Sequence, residues 1–157
     1  MTESATPGTP EDRLAALGLD LPSPPAPVAK YRPYVIAGGL VITSGVLPFR
    51  DGRVITGRLG ETMTVDAGVE AARQAALLAL SSVVRAVGSL SQVKGLVMMT
   101  VYVRCAADFA RQPEIADGAS QLLVQILGEA GEHARVAVGV AELPLEACLE
   151  LQLIARS

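Results

Sequence analysis

Tryptophan is missing from this sequence, and three tyrosines and two phenylalanines are its only aromatics, although half of its residues are hydrophobic. Ala, Val and Leu must therefore fill the core, and small side chains let helices and sheets approach closely. So much apolar surface on one small domain points to an oligomer. Histidine occurs once, at His133. No zinc site of the usual composition can form from one chain, a Ser-His-Asp triad would depend on that one ring, and no G-x-S-x-G occurs. Cys105 and Cys148 form no C-x-x-C pair and fall within apparent strands, which marks them as reduced core thiols. The glycines of GGLVITSG fit neither a dinucleotide fingerprint nor a phosphate loop, which needs a lysine. No cofactor is expected. Basic runs are absent and the net charge is -3, so no nucleic-acid partner is expected. No apolar run approaches the roughly 18 residues of a membrane span, and the N-terminus lacks a basic segment followed by an apolar one. A soluble cytoplasmic protein is the expectation.

One domain is expected at 157 residues. Residues 1 to 9 are polar and Pro/Gly-rich, so disorder is expected. Thr9-Pro10-Glu11-Asp12 reads as a helix start, with a short helix running through Leu17 and stopping at Gly18. Residues 21 to 29, LPSPPAPVA, favour an extended polyproline-like crossing. Strands follow over Tyr31 to Ala37 and Leu40 to Val46, joined at Gly38-Gly39. A loop follows, with a short strand near Arg53 to Ile55. A long helix runs from an N-cap at Thr64 to Val87 and stops at Gly88. Its buried stripe is Val69, Ala72, Ala76, Leu80, Val84 and Val87. A strand over Leu96 to Cys105 precedes a second helix, opened by Pro113, with Ile115, Ala119, Leu122 and Ile126 inside. The order β-β-(β)-α-β-α-β-β predicts an α+β fold, two helices on one face of a mixed sheet. The other face is left for a partner.

The stretch HARVAVGVAELPLEACLELQLIA, from His133 to Ala155, reads as two strands joined at Leu143-Pro144-Leu145. Val136, Val138 and Val140 form one apolar row; Leu149, Leu151 and Leu153 form another. If both rows face one core, the paired register sets Arg135 opposite Glu150 or Gln152. The remaining face then holds an arginine, a carboxylate and an amide beside small residues. A guanidinium can grip a carboxylate bidentately. Two readings stay open on the hairpin alone: a ligand-facing arginine, or a solvent-exposed cross-strand ion pair.

Three segments carry a family resemblance: Y-x-x-Y-x-x-x-G-x-L-V-I-T-S-G at Tyr31 to Gly45, H-A-R-V-A-V-G-V-x-x-L-P at His133 to Pro144, and the strand A-C-L-E-L-Q-L-I-A. Over about residues 28 to 156 the chain resembles the RidA/YjgF family of small imine deaminases, whose fold is also described as chorismate-mutase-like. The arginine-to-LP-to-acid spacing is its most specific part, and residues 112 to 135 look like a branch apart from the best-known members. The resemblance divides the chain into an N-terminal extension, 1–27, and a family domain, 28–157. It implies a homotrimer with clefts between subunits. It also implies that Arg135 grips a substrate carboxylate, that Glu150 orients the attacking water, and that Tyr31 and Ser44 line the pocket. Active members hydrolyse 2-imino acids to 2-oxo acids and ammonia without a cofactor. This chain departs at Ala137, where many members carry cysteine, at Asp117, near a position held by asparagine in active members, and at Gln152, which replaces a second acid. The alternative is a trimer that binds a small carboxylate without turnover; endoribonuclease activity ranks last.

Overall fold

A computed structural model describes residues 8–23, 26 and 29–157. The expected disorder of residues 1–7, and most of the proline-rich crossing, lie outside the described residues. Helix α1, Pro10–Ala16, begins with a capping box: Thr9 Oγ1 accepts from the Asp12 amide at 3.2 Å and Asp12 Oδ2 accepts from the Thr9 amide at 2.9 Å. It docks on the rest of the chain through Arg13, whose Nε donates to the Ile126 carbonyl at 2.7 Å.

Helix α2, Val65–Val87, starts at the Thr64 cap and stops at Gly88, the predicted bounds. Its buried surface is wider than the expected stripe. Ala71, Ala75 and Ala79 join Ala72, Ala76 and Leu80 at 0 % exposure, whereas Val69, Val84 and Val87 are only half-buried. The helix is covered twice, by the sheet and by α3, Gln112–Leu127, so one stripe does not describe it. Where the two helices cross, a Cβ on Gly118 would stand 2.5 Å from the Val69 carbonyl oxygen; only glycine permits that approach. In α3 the predicted Ile115, Ala119, Leu122 and Ile126 are all buried.

The main sheet contains β1 (Tyr34–Ala37), β2 (Leu40–Thr43), β5 (Gly95–Arg104), β6 (Ala134–Val140) and β7 (Leu149–Arg156); β3 (Phe49–Arg50) and β4 (Arg53–Val54) make a separate small hairpin. Strand β1 begins later than expected, after Pro33, which has no amide hydrogen to give a ladder. Strand β2 ends at Thr43, and only Val46 resumes pairing, with Leu151. The break falls at Ser44-Gly45.

The strand order is β1-β2-β7-β5-β6. This corrects the expected C-terminal hairpin. Strand β5 lies between β6 and β7, pairing parallel with β6 and antiparallel with β7. A strand, a helix and a strand in succession favour a parallel crossover, so β5-α3-β6 forms one such unit and β6 becomes an edge. The chain then passes over the end of β5 through residues 141–148, with Leu145 and Glu146 at positive φ, 57° and 56°. Glu142 holds that passage by pairing with both Arg58 and Arg104.

The expected faces change too. Leu149, Leu151 and Leu153 lie under the helices at 0 % exposure, together with Met99, Val101 and Val103. On β6 the helix side carries Arg135 and Ala137, in register with Met99 and Val101, while Val136 and Val138 stand on the open face, each 40 % exposed. Arg135 is therefore opposite neither Glu150 nor Gln152. Alternation separated the rows correctly but could not say which row lies under the helices, because both sides of this sheet carry branched apolar residues.

Candidate functional site

The predicted site residues fall into two groups, on opposite faces of the sheet. The first surrounds Arg135 at the β6 edge. Asp117 and Ser120 stand three residues apart on α3, one turn of the same helix face. Arg135 Nη1 donates to Asp117 Oδ1 at 2.7 Å and to Ser120 Oγ at 3.2 Å. Ser120 Oγ lies 3.0 Å from His133 Nε2, and His133 Nδ1 lies 2.7 Å from the Gly131 carbonyl. A carbonyl only accepts, so Nδ1 carries a proton, and in the Nδ1–H tautomer Nε2 accepts from the serine hydroxyl. The bonds run in one direction, from the guanidinium through the serine and imidazole to the backbone. Ala137 follows Arg135 on the same side, in register with Val101 and packed partly against the core.

The second group surrounds Glu150. Flanked by the buried Leu149 and Leu151, it points to the open face in one row with Tyr102 and Val138. Its carboxyl has no ion pair or side-chain hydrogen bond among the described residues, and burial raises it above the ordinary carboxylate range. It lies over Gly45, where a Cβ would meet Glu150 Oε1 at 2.1 Å. Ser44, next to Gly45, gives its hydroxyl to the Arg32 carbonyl at 2.6 Å and its amide to the Pro33 carbonyl at 2.8 Å. Ser44 thus pins the segment bearing Tyr31, whose side chain is exposed. Gln152 donates to the Thr43 carbonyl at 2.9 Å, so its amide is occupied within the sheet.

Sequence reasoning missed Ser120 and Gly45. A serine one helical turn beyond Asp117 and a glycine at a strand break opposite an acid were the available signals. Cys148 is buried, and burial pushes its thiol up to about 11. Among the described residues no cluster of three or more His, Cys, Asp or Glu side chains is arranged to hold a metal ion. No described helix is long and apolar enough to cross a membrane.

A helix-covered mixed sheet with an arginine on one edge and a desolvated carboxyl on its open face defines an α+β protein of the chorismate-mutase-like type. A family model described as "YjgF/chorismate mutase-like, putative endoribonuclease" matches residues 11–156, and the chain belongs to this YjgF/RidA family. It is 42% identical over 143 residues to "Protein TCP17" of Trypanosoma cruzi, covering 90% of this chain and 89% of that protein. A solved structure from Shewanella oneidensis MR-1 is 36% identical with a TM-score of 0.92, covering 96% of this chain and 100% of the other. Escherichia coli TdcF, solved with bound serine, is 26% identical with a TM-score of 0.63, covering 86% and 93% of the two chains.

Proposed function

We propose that this chain hydrolyses small 2-imino and enamine-derived acids to 2-oxo acids and ammonia, without a cofactor, at clefts between the subunits of a homotrimer. The observation that carries this reading is Glu150, a half-buried carboxyl raised by desolvation and unpaired among the described residues. Such a group suits a base that orients water. Around it the open face exposes Val35, Tyr102, Val136 and Val138, apolar surface that a second copy would cover. Arg135 and Glu150 cannot meet around an intact sheet, so a site using both takes one from each of two copies. Serine in TdcF, an amino acid with its carboxylate, supports the ligand class.

In this mechanism Arg135 holds the substrate carboxylate. Glu150 of the adjoining copy orients a water, whose oxygen adds to the imine carbon while its proton passes to the nitrogen. The resulting carbinolamine collapses, forming the C=O bond and breaking C–N, and ammonia leaves. The C=N bond is already electrophilic, so positioning supplies most of the catalysis. Ser44 and Tyr31 line the Glu150 side, and Ala137 stands next to Arg135 on the same side of β6. The test is release of ammonia and 2-oxo acid from a 2-imino acid generated in situ by an amino-acid oxidase. Wild type accelerates it and Arg135→Ala does not; equal rates end the proposal.

Asp117 favours a second reading, binding without turnover, because it already occupies Arg135. Stabilisation by small carboxylates with no imine hydrolysis would select that reading. Endoribonuclease activity ranks last in a chain with one histidine and a net charge of -3.

A further inference from the structure

The Arg135–Asp117 pair is only partly used. Within the described residues, every hydrogen bond of the Arg135 guanidinium comes from Nη1, and Asp117 engages it through Oδ1. Nη2 and Nε remain as donors, and Oδ2 remains as an acceptor. Both side chains are reachable, Arg135 at 26% and Asp117 at 49% exposure. The pair therefore presents a positive donor edge directly beside a negative acceptor.

A ligand matching this edge carries the reverse pattern on adjacent atoms: a carboxylate and, one carbon away, a protonated nitrogen. We infer that Asp117 and Arg135 together read a zwitterion, the guanidinium taking the carboxylate and Asp117 the iminium or ammonium nitrogen of a 2-imino or 2-amino acid. This rests on the proposed imino-acid site and adds a selectivity to it. The 2-oxo acid formed by hydrolysis keeps the carboxylate but replaces the N–H donor with a carbonyl oxygen. Its lone pairs then face those of Asp117 with no proton between them, and the match becomes a repulsion. Asp117 thereby holds substrate and expels product. The acid that would repel a purely anionic ligand becomes a recognition element once the ligand carries a cation next to its carboxylate.

The pair is supported from behind. Ser120 accepts from Nη1 and passes its own proton toward His133, which is anchored on the Gly131 carbonyl. Ser120 thus gives the guanidinium a second anchor besides Asp117. An Asp117→Asn variant should keep Arg135 in place while losing the negative charge.

Alanine and pyruvate share the methyl group and the carboxylate and differ in what C2 carries, an ammonium or a carbonyl oxygen, and neither needs turnover. Calorimetric titration of the intact protein is expected to show alanine binding about tenfold tighter than pyruvate, the size of one hydrogen-bonded charge contact at a partly exposed site. In Asp117→Asn, and in Asp117→Ser as a second variant, that ratio falls to near one. In Arg135→Ala both ligands weaken together. The His133 ring signals in NMR belong to the only histidine and shift on titration with alanine. Pyruvate binding as tightly as alanine to wild type, or an unchanged ratio in both Asp117 variants, overturns the inference. A preserved ratio without imine hydrolysis supports the zwitterion pair and removes the catalytic reading alone. Failure of wild type to bind either ligand overturns both.

Discussion

Arg135 and Glu150 are two charged groups in opposite situations. The guanidinium has its partners in place: a carboxylate, a hydroxyl and, through the hydroxyl, an imidazole. The carboxyl has none among the described residues and sits over bare glycine on an apolar face. A partnered charge is fixed in position, which suits holding a ligand. An unpartnered, desolvated one is raised in pKa, which suits handling water and protons. Two charged residues singled out by one motif thus suit different tasks, holding and reacting, because their burial and partners differ.

The strongest way to break this contrast is to separate its halves. Arg135→Ala and Glu150→Gln should each lower imine hydrolysis by more than about a hundredfold, as expected for groups that bind or activate at the reacting centre. If the halves come from different subunits, mixing and reassembling the two variants should restore roughly a quarter of wild-type activity, the fraction of interfaces that receive both intact groups in a random closed trimer. No recovery would place the halves in separate sites.

Gly45→Ala sharpens the comparison on the Glu150 side. Its methyl group would meet Oε1, so the carboxyl must swing away. Turnover should fall by about ten- to a hundredfold, the penalty of a displaced catalytic group, while alanine binding at Arg135 is unchanged. The comparable change on the Arg135 side is Gly118→Ala, next to Asp117 at the helix crossing. It should cost about 1–3 kcal/mol of stability by overpacking, read as a lower denaturant midpoint.

The smallest expected effect concerns pH. Glu150 has a folded pKa above its ordinary value of 4.5. Its ionised form is therefore less at ease in the folded chain, a cost fully present above the folded pKa and relieved as pH falls through it toward the unfolded value. Glu150→Gln should stabilise the protein at neutral pH by less than about 1 kcal/mol, given solvent screening, with the gain disappearing in acid. A gain that grows in acid would contradict the assigned cause.

Local structure was legible in the sequence wherever a residue does its work nearby. The Thr9 and Thr64 caps, the Gly38-Gly39 turn, the Gly88 stop and the α3 stripe all follow from chemistry within a few positions. Long-range order was less legible. Two apolar rows joined by a short proline-containing segment look like a hairpin, and nothing local shows that β5 slips between them. Motif spacing singled out Arg135 and Glu150, but their relation was misread because a face depends on what covers it. Ser120 left only its one-turn spacing from Asp117, since its meaning comes from helix α3 lying beside β6.

The buried Cys148 has a practical consequence. A thiol held at about 11 is almost wholly un-ionised at neutral pH, so alkylating reagents and mild oxidants find little to attack while the sheet is closed. Loosening of the passage that ends at Cys148 would release it to an ordinary acidity and expose it. Cys148 is thus a built-in clock for unfolding: its labelling rate counts how often the segment entering β7 comes apart.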